Sequence, residues 1–72
     1  MRLRVAVSQR RDAVAGRDEV RDALDVRLPA LLWELGFLPI PMASAIDDHH
    51  KYITELMPDA VAMSGGNDIS EA

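Results

Sequence analysis

Three short apolar runs, at residues 3–8, 37–41 and 59–64, are separated by stretches long enough to hold one helix each. The first, Leu-Arg-Val-Ala-Val-Ser, is β-branched and nearly all apolar, the pattern of a strand buried in a parallel sheet. It stops where Gln9, Arg10, Arg11 and Asp12 begin. The second, Phe-Leu-Pro-Ile-Pro, contains prolines that cannot donate to a ladder, which restricts it to a short edge strand. The third runs directly into Gly65 and Gly66, so a buried strand is expected to end on a glycine turn.

The intervening stretches carry helical periods. Leu24, Leu28, Leu31, Leu32 and Leu35 share one face of a helix, and Gly36 is placed to end it in a left-handed conformation. Pro29 conflicts with a long helix, because an interior proline removes a hydrogen bond and costs ~3 kcal/mol. Two solutions fit: a kinked helix from about Val20, or a shorter one from near Val26 with Asp25 as its N-cap. The second is preferred, with residues 12–19 as a surface loop. Asp47 or Asp48 should open a second amphipathic helix, which Pro58 ends. Strand, helix, strand, helix, strand in that order predicts an α/β fold with a parallel sheet and right-handed crossovers, as one domain.

Composition narrows the chemistry. The chain has 72 residues and no cysteine, which excludes a disulfide, a cysteine-ligated metal or a cysteine nucleophile within it. Apolar residues make up 49% and charged residues 28%, the profile of a globular chain. The arginines are not gathered into a basic stripe with stacking aromatics, so no nucleic-acid partner is expected. No stretch approaches a membrane span and no signal-peptide core is present, so the expected location is the cytoplasm, with no membrane partner.

Ligands of open parallel sheets bind beyond the carboxyl ends of the strands. Residues 8–11, 41–44 and 65–69 fall at that edge. Adjacent glycines allow backbone N–H groups to approach a ligand without a Cβ in the way. Such a turn can stabilise an oxyanion, hold a phosphate at the start of a helix, or serve only as a turn with Asn67 or Asp68 capping the next helix.

The run Ala60-Val61-Ala62-Met63-Ser64-Gly65-Gly66-Asn67-Asp68-Ile69 resembles the oxyanion strand and loop of class I glutamine amidotransferases, nearest the branch that includes γ-glutamyl hydrolases. Ser8-Gln9-Arg10 after the first strand, Arg21-Asp22-Ala23-Leu24-Asp25, and Leu35-Gly36-Phe37-Leu38-Pro39-Ile40-Pro41 occur in the family's order. The resemblance implies a flavodoxin-like parallel sheet with flanking helices, of which this chain holds the first βαβαβ portion. It implies hydrolysis of a γ-glutamyl amide or glutamine by a Cys-His-Glu triad, with neither cofactor nor metal. The N–H groups of Gly65 and Gly66 would form the oxyanion hole, and Arg10, Asn67 and Asp68 would bind substrate. In the family the elbow cysteine and the histidine–glutamate pair lie downstream, beyond Ala72. The 72 residues alone are therefore expected to be inactive, with a sheet edge and a helix face left open for association.

The alternative is a small non-enzymatic α/β module that binds an anion or a protein partner. His49 and His50 invite a metal or acid–base role. Neighbours on a helix point about 100° apart and have no third ligand nearby, so a solvated helix start is expected instead. Arg10 and Arg11 suit a carboxylate or phosphate, though a solvated loop is the commoner setting. Arg21 and Asp25 are spaced as an i,i+4 pair. Trp33 is expected to pack into the core.

Overall fold

The computed structural model describes residues 1–64. Three parallel strands, β1 (Leu3–Val7), β4 (Phe37–Pro41) and β5 (Ala60–Ala62), form a sheet in the order β4-β1-β5. Two further strands, β2 (Arg10–Ala13) and β3 (Val20–Ala23), form an antiparallel hairpin. The helices are α1 (Arg27–Glu34), before β4, and α2 (His49–Leu56), before β5. The chain is thus a mixed α/β unit with a parallel sheet and flanking helices. Because its crossovers run in opposite directions along the sheet, the right-handed rule puts α1 and α2 on opposite faces.

The core is set by β1, the only strand among the described residues that is paired on both sides. Val5, Ala6 and Val7 are buried, and Met42, just past β4, completes the buried apolar set. The expected burial of the third strand does not hold. In β5, Ala60 and Val61 are exposed and Ala62 is half-buried, because the strand is three residues long and forms an edge. The backbone groups of Val61 and Met63 point outward from that edge, since Ala62 directs its carbonyl to the Ser8 N–H of the central segment.

The opposite edge is closed by sequence. Met42 donates its N–H to the Val7 carbonyl, so the backbone groups of alternate residues Leu38 and Ile40 face β1 and those of Pro39 and Pro41 face outward. Both prolines therefore sit where a donor would otherwise be offered to another chain.

The shorter of the two helix solutions is the one adopted. Val20 to Ala23 are a strand, α1 starts at Arg27, and Pro29 falls in its first turn, where an N–H has no intrahelical acceptor in any case. Asp25 is not the N-cap; that position is Val26. Asp25 instead accepts the Arg27 N–H at 2.9 Å and grips its guanidinium. Arg21 is paired with Glu19 within the hairpin, so the expected Arg21–Asp25 helical pair does not form. Gly36 adopts φ +95° past the helix end, as expected.

The loop expected at residues 12–19 is shorter than foreseen, because β2 and β3 pair up to Ala13↔Val20. Asp48 caps α2 by accepting the Lys51 N–H at 3.0 Å, and Met57 ends it in a left-handed conformation just before Pro58. Arg4 ties this end to β1: its guanidinium donates to the Leu56 carbonyl, and its N–H donates to Asp59 Oδ2. Trp33 does not enter the core. It is 51% exposed, with the Arg2 guanidinium 3.5 Å from its ring centroid, because α1 turns only part of its apolar face to β4. Among the described residues, no helix is long and apolar enough to cross a membrane.

Candidate functional site

The carboxyl ends of the three parallel strands meet in one place. Beyond β5, Ser64 donates its N–H to Ser8 Oγ at 2.9 Å, so the segment leading to Gly65 starts beside the end of β1. Beyond β1, the Gln9 side-chain amide donates to the Met42 carbonyl at 2.8 Å, linking the ends of β1 and β4. Tyr52 of α2 reaches the same region, where its hydroxyl accepts the Ala43 N–H at 3.2 Å.

These segments enclose a cavity of about 230 Å³. Ser8, Gln9, Ser44, His49 and Tyr52 supply its polar wall, while Met42, Ile53, Val61 and Met63 make the rest apolar. The location agrees with the expectation for an open parallel sheet: the segments after β1 and β4 both contribute.

One rim of the cavity is held by a clasp around Ser44. Asp22 of β3 accepts both the Ser44 hydroxyl and, at 3.0 Å, the Ser44 N–H. Arg11 of β2 donates to Ser44 Oγ at 2.8 Å and to its carbonyl at 3.0 Å. His49 of α2 lies 3.0 Å from that carbonyl, which as an acceptor assigns the proton to Nε2. The hairpin and the start of α2 are thereby fixed to the loop after β4. The Ser44 hydroxyl, with smaller contributions from its N–H and the Arg11 charge, holds the Asp22 carboxyl below its usual range against the opposing effect of burial.

The candidate residues distribute unevenly. Gly65, Gly66, Asn67 and Asp68 lie outside the described residues. Arg10 stands on the hairpin with its guanidinium on Asp12 at 3.0 Å and does not line the cavity. Arg11 and Asp22 reach the rim only through Ser44. His49 and His50 sit at an exposed helix start as expected, but His49 also lines the cavity. Sequence reasoning did not single out Gln9, Ser44 or Tyr52 as a group. Their signal was position: Gln9 and Ser44 flank the ends of two strands, and Tyr52 lies one turn into the helix after the second.

Ser8 and His49 are not partnered as nucleophile and base: Ser8 Oγ accepts from Ser64, and His49 donates to Ser44. No group of three or more His, Cys, Asp or Glu among the described residues could hold a metal ion.

No family model, curated protein or solved structure matches this chain.

Proposed function

We propose that this chain forms the first βαβαβ portion of a flavodoxin-like, glutamine amidotransferase-like hydrolase that cleaves a γ-glutamyl amide in the cytoplasm. The observation that carries the proposal is the strand order β4-β1-β5 with Ser64 held against Ser8 at the carboxyl edge. Counting only the parallel strands, the order is second-first-third, the order with which a flavodoxin-like sheet also begins, and the ligand site of such a sheet lies between its first and third strands. In sequence, Ser64-Gly65-Gly66-Asn67-Asp68 follows β5.

Gly65 and Gly66 then supply oxyanion N–H donors, each worth ~3 kcal/mol of transition-state stabilisation. Asn67 and Asp68 contact the substrate, and Arg10 joins them if the hairpin turns it toward the glutamyl carboxylate. The Cys-His-Glu triad belongs to chain beyond Ala72, and the outward edge of β5 receives the rest of the sheet. No cofactor takes part.

The intact mass of the protein made in its own cells tests this. A mass well above 7.9 kDa, with a Gly-x-Cys-x-Gly elbow and a later His-x-Glu in the added sequence, is the expected result. A mass equal to 72 residues would overturn the hydrolase and favour an anion- or partner-binding module.

A further inference from the structure

We propose that the cavity between α2 and the ends of β1 and β5 is a binding site for an uncharged group the size of one ring or a branched alkyl chain. If the amide-hydrolase proposal holds, that group is the amine side of the γ-glutamyl amide; only this last assignment rests on that proposal.

Size is the first argument. At about 230 Å³ the cavity is larger than the ~150 Å³ that accepts benzene and smaller than the ~300–1,000 Å³ of drug-sized pockets. The second is charge. Among the described residues, neither a carboxylate, an ammonium nor a guanidinium lines the cavity, and Asp22 and Arg11, which reach its rim, are committed to Ser44. A charged ligand would lose water there and meet no carboxylate, ammonium or guanidinium of the described residues.

The third argument is the unspent hydrogen-bonding capacity of the wall. Ser8 Oγ and the Tyr52 hydroxyl each accept a backbone N–H, and their O–H groups donate to no partner among the described residues. Among the described residues Gln9 engages its amide nitrogen alone, leaving Oε1 as an acceptor. His49 engages Ser44 through Nε2, and Nδ1 has no partner among the described residues. Such a wall matches a neutral amide or hydroxyl attached to an apolar body. Met42 and Met63, adaptable in shape, let the apolar part accept a ring or a branched chain.

The test is an NMR titration of the chain labelled at its methionine methyls, with N-benzylacetamide as probe. Met42 and Met63 should shift saturably, in roughly the millimolar range expected for about ten non-hydrogen atoms, while Met1 and Met57 stay unmoved. Acetamide and benzylammonium should each bind at least about tenfold more weakly, the first lacking the apolar body and the second adding an unpaired charge. Ile53→Trp, which fills the cavity, should abolish the shifts with the spectrum otherwise folded; Val61→Phe makes the same check if the first variant fails to fold. Absence of saturation at Met42 and Met63, equal shifts at Met57, or benzylammonium binding as tightly would each overturn the site. Probe binding by a native protein that hydrolyses no γ-glutamyl amide would sink the hydrolase alone. Hydrolysis without probe binding would sink the cavity alone.

Discussion

Val7 is the side chain on which the fold depends most heavily. It is fully buried, and β1 places it between Pro41 on one neighbouring strand and Ala62 on the other. Val7→Ala removes two methyl groups, a transfer loss of about 1.6 kcal/mol at ~0.8 kcal/mol per group. The central strand is pinned on both sides and cannot collapse into the space, so the residual cavity raises the loss to about 2–3 kcal/mol. A single small core seldom supplies more than ~3–5 kcal/mol of net stability, so roughly half would go. With a urea slope of about 1 kcal/mol/M for a chain of this size, the midpoint should fall by about 2 M with little change in slope. Far-ultraviolet circular dichroism across a urea series measures this directly. Val20→Ala makes the same chemical change at a residue that is 64% exposed and should cost less than about 0.5 kcal/mol. Equal losses at the two positions would refute the assignment of the core to β1.

Three other consequences can be checked independently. Asp22 should titrate below 3.8, so its contribution to stability is complete above that pH and disappears as pH falls through its lowered value. Carbon-detected NMR should see Ser44→Ala return that titration toward the ordinary range. Gly36→Ala introduces a Cβ that meets no atom within 4 Å but holds a side chain at φ +95°. It should therefore cost about 1–2 kcal/mol from the backbone alone, read by chemical denaturation. The double change Pro39→Thr with Pro41→Thr restores two outward N–H donors on β4. Sedimentation velocity should show concentration-dependent association that the parent lacks at that edge; an unchanged profile would mean the prolines do not guard it.

The elements visible in the sequence were those whose local chemistry agrees with their place in the fold. The apolar run 3–8, Gly36 and the proline-broken edge strand each had one physical explanation and are found where expected, and of the two helix openers Asp47 and Asp48 it is Asp48 that caps α2. The hairpin was hidden because β2 and β3 bury almost nothing and so have no alternation of apolar and polar residues. Its trace was electrostatic: Arg11↔Asp22 and Asp12↔Arg21 are opposite charges directly across the ladder. Taking Val20 to Ala23 toward the helix treated Leu24 as part of a helical face, although the chain reaches helical geometry only after Asp25. β5 looked buried because its residues are small and apolar. Its exposure is set by its position at an edge, which no local pattern encodes. Likewise the cavity joins residues far apart in sequence, Gln9 with Met42 and Ser8 with Met63, and the sequence pointed only to the sheet edge where they meet.

The most direct test of the proposed hydrolase function is glutamate release from a γ-glutamyl amide by the native protein, combined with mass spectrometry to trap a glutamyl thioester. Turnover with a thioester on a cysteine downstream of Ala72, and loss of turnover when that cysteine is replaced, is the predicted result. Native protein that releases no glutamate and forms no thioester from any γ-glutamyl amide would contradict the assignment.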